Sequence, residues 1–102
     1  MQITGEDILH VKLRQHAAAR RWIESWLQAA GNSQWKRLGD VRKDYPSADG
    51  VKLRSNRVVT VFNVRGNEFR LLTEIFYEDE IVDILDLLTH AEYDKQKWKA
   101  KY

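Results

Sequence analysis

Cysteine is absent from these 102 residues. No disulfide and no thiolate metal ligand can form, which fits a reducing compartment. There is also no apolar run near the roughly 20 residues that a membrane helix needs. Glu6 and Asp7 follow Met1-Gln2-Ile3-Thr4 at once, so a secretory leader is not expected. Metal spacing is missing too, because neither His10 nor His16 has a second ligand placed to share an ion. What remains is 43% hydrophobic and holds four Trp, enough for a real core and too apolar for general disorder. The expectation is one soluble intracellular domain spanning residues 1–102, with no metal and no cofactor.

Net charge is low, at +2, and its distribution is more telling. Val41 to Arg70 holds seven cations: Arg42, Lys43, Lys52, Arg54, Arg57, Arg65 and Arg70. Only Asp44, Asp49 and Glu68 oppose them. Leu71 to Leu88 holds six acids and no Lys or Arg. Four lysines follow, at 95, 97, 99 and 101. Such segregation is either an ordinary solvated surface or one side that faces a polyanion and one that does not.

The apolar spacing predicts a helix over Thr4–Gln15, with Thr4 as cap and Ile8, Leu9, Val11 and Leu13 as its apolar positions. A stronger stripe runs over Ala17–Ala30 through Trp22, Ile23, Trp26, Leu27 and Ala30, with Gly31 at the C-terminal cap. At that spacing the two Trp read as core anchors rather than a base-stacking platform. Asn32 to Pro46 reads as a connector holding one helical turn, capped by Asp40 and stopped by Pro46. Ser47 to Gly50 reads as a loop that brings Lys52 and Arg54 to the sheet edge. Strands are expected at Arg57–Val64, Phe69–Tyr77 and Ile81–Leu88, with turns at Arg65–Glu68 and Glu78–Glu80. The middle strand is apolar on both faces and should be central. Asp83 and Asp86, three apart, leave a helical turn open in the last. The fold class is therefore α+β: N-terminal helices packed on a small antiparallel sheet, with a short C-terminal helix or tail.

Thr89-His90-Ala91-Glu92-Tyr93-Asp94-Lys95 gathers an imidazole, a phenol, two carboxylates and an ammonium at the end of the last strand. This end of the chain reads as a working surface that meets RNA. His90 has the side chain whose ordinary titration lies nearest neutrality, and Tyr93 sits one helical turn on. Glu92 and Asp94 suit orienting neighbours better than acting as an acid–base pair.

Two segments carry a family resemblance. Val61-Phe62-Asn63-Val64-Arg65-Gly66-Asn67-Glu68-Phe69-Arg70-Leu71 and Thr89-His90-Ala91-Glu92-Tyr93-Asp94-Lys95 resemble the hairpin and ending of the HigB family of type II toxin–antitoxin toxins, in the wider RelE-like group. Trp35, Asp40-Val41, Tyr45-Pro46-Ser47-Ala48 and Asn56-Arg57-Val58-Val59 fall in the family's order. The resemblance implies an mRNA interferase that cleaves messages on the ribosome in the cytoplasm. It also implies a cognate HigA-type antitoxin, with operator DNA met only through that antitoxin and no membrane partner.

A metal-free ribonuclease must activate a 2′-hydroxyl, protonate the leaving 5′-oxygen and place positive charge at the phosphorane. His90 can be base or acid; Tyr93 can donate, orient or stack. Arg70 and Arg65 can clamp the phosphate, unless Glu74 or Glu68 pairs with Arg70. Lys52, Arg54, Arg57 and Lys95 suit contacts to the RNA backbone. One departure stands out: family members often carry a cation in the last strand, and here Asp83-Ile84-Leu85-Asp86-Leu87-Leu88 has none. A catalytically weak or inactive homologue, binding RNA, the ribosome or the antitoxin, is the alternative.

Overall fold

The structure, a computed structural model, describes residues Met1–Tyr102. In chain order it contains strand β1 (Gln2–Thr4), helix α1 (Glu6–Gln15), a 3-10 turn (Ala17–Ala19) and helix α2 (Arg20–Asn32). Helix α3 (Leu38–Asp44) and strands β2 (Asp49–Lys52), β3 (Val58–Val64), β4 (Phe69–Phe76) and β5 (Ile81–Thr89) follow. Helix α4 (His90–Asp94) and a second 3-10 turn (Lys97–Ala100) end the chain. No helix is long and apolar enough to cross a membrane.

The expected antiparallel meander β3–β4–β5 forms the middle of a larger, mixed sheet of order β1-β5-β4-β3-β2. β1 adds in parallel beside β5, and β2 adds antiparallel beside β3. Ser47 to Gly50 is thus not wholly loop, because Asp49 and Gly50 already pair with Val61 and Thr60. Asp and Gly are poor strand formers, so the pairing comes from β3 and not from local preference.

Two apolar layers sandwich the sheet. On one face Leu9 and Leu13 of α1 and Ile23, Trp26 and Ala30 of α2 pack on Phe62, Leu71, Val82, Ile84 and Leu87. On the other, Trp98 from the C-terminal turn packs with Leu53, Val59, Val61, Leu72 and Leu88. The last lysines therefore belong to a packed segment and not to a free tail. Val11 is 57% exposed, outside the stripe assigned to it, and its neighbour Lys12 turns in to meet Asp86 of β5 at 3.2 Å.

β5 carries a bulge: Leu72 pairs with Asp86 but Thr73 with Ile84, which leaves Leu85 extra. Val82, Ile84 and Leu87 consequently reach the helical layer while Leu88 reaches the opposite one. This change of phase is why the segment lacks clean alternation, and it places Asp83 and Asp86 in a strand and not in a helical turn.

The capping residues differ from expectation. Thr4 lies in β1 and donates its hydroxyl to Asp83 at 2.7 Å, while Gly5 is the N-cap of α1. Asp40 accepts from the Lys36 backbone N–H, ahead of α3, and Arg37 occupies the cap position. Gly31 is inside α2, whose C-cap is Ser33. Gly5 is required twice over: its φ is +80°, and a Cβ there would sit 2.6 Å from the Ile84 carbonyl. Gly5→Ala should cost at least about 2 kcal/mol, combining left-handed strain with displacement of β5. Thermal unfolding will show this as a midpoint lower by about 8–16 °C for a domain of this size. An unchanged midpoint would mean that α1 and β5 do not approach as described.

Candidate active site

Arg70 lies on the central strand β4 and is only 8% exposed. It has no carboxylate within 4 Å. Neither Glu74 nor Glu68 neutralises it: Glu74 is held by Arg57, with Nε 3.1 Å from Oε1, and Glu68 lies 3.4 Å from Arg65. Hydrogen-bond acceptors hold its guanidinium instead. Nη1 donates to the carbonyls of Phe69 at 3.0 Å and Asn67 at 3.3 Å, and Nη2 donates to the Asn67 side-chain oxygen. Nη2 also lies 3.0 Å from Nδ1 of His90. A buried cation satisfied by dipoles but lacking a counter-ion is a ready seat for an anion.

His90 is the first residue of α4. Thr89 caps that helix: its hydroxyl accepts from the Glu92 N–H, and the Glu92 carboxylate accepts from the Thr89 N–H. That bond holds the Glu92 carboxyl below its usual range. The His90 N–H donates to the Glu68 carbonyl at 2.9 Å, which ties the β3–β4 turn to α4. Nε2 lies 2.8 Å from Oδ2 of Asp94, one turn on. Because a guanidinium only donates, Nδ1 must accept, which assigns the ring proton to Nε2. Asp94 and Arg70 thus fix the tautomer from opposite sides, with the imidazole lone pair toward Arg70.

Tyr93 completes the group. Its ring lies 5.5 Å from the Arg70 guanidinium and stacks on Trp98 at 5.3 Å and 17°. The Trp98 indole N–H donates to the Tyr93 carbonyl at 3.2 Å. Burial pushes the Tyr93 phenol up, Asp49 adds to this, and Arg70 only partly opposes it. Tyr93 therefore keeps its proton and is a donor or a stacking surface, not a base.

Arg70 and Tyr93 open onto a cleft of about 590 Å³, floored by Val61 and Asn63 and walled by Arg42 and the Pro46–Asp49 segment. Three of the residues expected at the site therefore come together: Arg70, His90 and Tyr93. The others do not join them. Arg65 is at the hairpin tip, Arg57 is committed to Glu74 and lies over the Tyr102 ring, and Lys95 is exposed at the end of α4. Lys52 and Arg54 line a different cleft.

Asn67 lies in the expected Arg65–Glu68 turn. Arg65 and Gly66 take positive φ there, and Asn67 gives its side chain to Arg70. Arg42 and Asn63 line the cleft too, and nothing in their sequence spacing points to it. The acids of β5 do not crowd the site, since Asp86 is neutralised by Lys12 and Asp83 accepts from Thr4.

Residues 19–96 match the sequence profile of HigB toxin, a RelE-like toxic component of a toxin–antitoxin system. The mRNA interferase toxin HigB of Escherichia coli (strain K12) is 35% identical over 72 residues, 67% of this chain and 67% of that one. The mRNA interferase HigB of Escherichia coli O157:H7 and that of Shigella flexneri match to the same extent.

Tyr45, Tyr77, Tyr93 and Tyr102 are all pushed above the ordinary phenol value, chiefly by burial. A raised folded-state value stabilises below the unfolded value of about 10 and is lost as pH climbs through the folded one. Stability should therefore hold up to about pH 10 and fall above it. Tyrosinate absorbance should lag behind that of the urea-unfolded chain. A full four-tyrosine signal at the ordinary value, with the fold intact, contradicts the burial of Tyr93 against Trp98.

Proposed function

The chain belongs to the HigB family of RelE-like toxins of toxin–antitoxin systems, and from that membership we propose a ribosome-dependent mRNA interferase in which Arg70, His90 and Tyr93 carry the reaction. It is an endoribonuclease with a cognate antitoxin as partner. In this reading residues 1–102 form one toxin domain working in the cytoplasm, the antitoxin is of the HigA type, and operator DNA is reached only through it. The carrying observation is the buried guanidinium of Arg70, without a carboxylate, 3.0 Å from Nδ1 of His90.

The message lies in the cleft beside Arg70, whose guanidinium turns from His90 to the scissile phosphate. Nδ1 of His90, freed, takes the proton of the 2′-hydroxyl. The 2′-oxygen bonds to phosphorus, the bond to the 5′-oxygen breaks, and a 2′,3′-cyclic phosphate and a 5′-hydroxyl result. Arg70 meets the charge that builds on the phosphorane. Asp94 holds the Nε2 proton and balances the imidazolium as it forms, a positioning residue in the manner of a triad carboxylate. Tyr93, protonated in the resting site, gives its proton to the leaving 5′-oxygen and regains one from solvent, while Trp98 fixes its ring. No metal is called for, because imidazole, phenol and guanidinium cover the three tasks.

Expression of the wild-type chain should arrest growth and create new 5′ ends in translated messages. His90→Ala should slow cleavage about 10²–10⁴-fold, the usual worth of a general base. Arg70→Ala should cost about 10²–10³-fold. Asp94→Asn should cost less and also distort the pH–rate profile, since the amide can present the wrong partner to Nε2. Equal cleavage by the parent, His90→Ala and Arg70→Ala would place the chemistry elsewhere.

A further inference from the structure

We propose that the C-terminal segment builds a second RNA-backbone site, separate from the Arg70 cleft, which grips a stretch of RNA other than the one being cut. It rests on the reading of the chain as an RNA-acting toxin. The site is a cleft of about 650 Å³ between the β2–β3 turn and the last 3-10 turn, lined by Lys52, Arg54, Ser55, Gln96, Lys99 and Tyr102. Three cations line it and no Asp or Glu does. None of the three has a carboxylate within 4 Å, whereas Arg42, Arg57 and Arg65 are all paired.

The walls are built, not loose. The β2–β3 turn is closed by the Leu53 N–H on the Arg57 carbonyl at 2.9 Å and the Asn56 N–H on the Leu53 carbonyl at 3.0 Å. Leu53 beneath it is buried with Trp98. On the other side Tyr102 donates to the Leu85 carbonyl at 3.3 Å, and Lys99 donates to the Gln96 side chain at 3.0 Å. The cation heads stay exposed while their backbones are fixed. This suits repeated, weakly directional contact with phosphates, supplemented by the hydroxyl of Ser55 and the amide of Gln96.

The two clefts share no lining residue. Trp98, stacked on Tyr93, stands between them, and the Arg57–Glu74 pair lies beside Tyr102. One strand of message in the Arg70 cleft therefore does not fill the second by local contact. The second cleft takes either a flanking part of the message or ribosomal RNA, through the same phosphate chemistry.

The test uses the full chain with His90→Ala, so that RNA survives, against the same chain carrying Lys52→Gln, Arg54→Gln and Lys99→Gln. Probes are ribosomes without message, ribosomes with message and a short single-stranded RNA. The triple variant should bind at least one probe about tenfold to a hundredfold more weakly, with a salt slope shallower by about 2, as expected for three lost phosphate contacts to a single strand. Loss on message-free ribosomes identifies ribosomal RNA. Loss only where message or free RNA is present identifies the flank. Unchanged affinity for all three probes overturns the proposal, as does weaker binding with an unchanged salt slope. A fall confined to antitoxin binding overturns it in favour of a protein ligand. If the triple variant unfolds at lower temperature, Lys99→Gln alone, on an exposed position, must still reduce the slope. Cleavage by the His90→Ala chain at the parent's rate would sink the catalytic assignment, while binding read on message-free ribosomes would stay interpretable.

Discussion

A guanidinium without a counter-ion, set in the middle of a sheet, is the constraint around which this protein is arranged. Arg70 sits on the strand most enclosed by the fold, between β3 and β5, where a cation is costly to hold. Its compensation comes from oxygen acceptors at the β3–β4 turn and the start of β4, and from one ring nitrogen of His90. Those partners explain several otherwise unrelated features: the side chain of Asn67, the bond from His90 N–H to Glu68, and the capping box that starts α4 at Thr89. Nearby acids are occupied elsewhere, Glu74 by Arg57 and Asp86 by Lys12. A carboxylate on Arg70 would stabilise the free protein and obstruct a phosphate.

The C-terminal segment is the second determinant. Trp98 is 3% exposed and joins a small apolar layer on the sheet face opposite the helices. From there it stacks on Tyr93 and holds that residue's carbonyl. Burial of Tyr93 keeps the phenol protonated despite the nearby guanidinium, so packing decides the chemical role that this residue can take. The same fold-back brings Lys99 and Tyr102 into the wall of a basic cleft.

Much of this was legible in the residues and some was not. The stripe of α2 and the β3–β4 hairpin were readable because side-chain period and turn chemistry agree there. The meeting of His90, Tyr93 and Arg70 was readable because two segments place them at the end of adjoining strands. β1 and β2 were poorly legible: three residues carry no period, and Asp49-Gly50 joins the sheet only because β3 offers an edge. That Lys52 and Arg54 open on a cleft apart from Arg70 was illegible for a similar reason. Charge sequence does not reveal which side of a folded-back tryptophan a lysine will occupy, nor that Glu74 will claim Arg57.

The parallel pairing of β1 with β5 also bears on how the molecule comes to exist. Thr4 and Asp83, joined by a hydrogen bond, are 79 positions apart. Closing so long a loop is only slightly dearer than closing a shorter one, by about 0.6 kcal/mol per doubling. It nevertheless raises contact order, and search time with it. Helices and the β3–β4 hairpin are local and can form early, whereas the sheet is completed by its most distant ends. The β4–β5 hairpin is local as well, so the histidine reaches an arginine only 20 positions away without waiting for β1 to close the edge. The pairing of cation and imidazole therefore rests on neighbouring strands, and the distant β1 contact secures the strand from which the histidine projects.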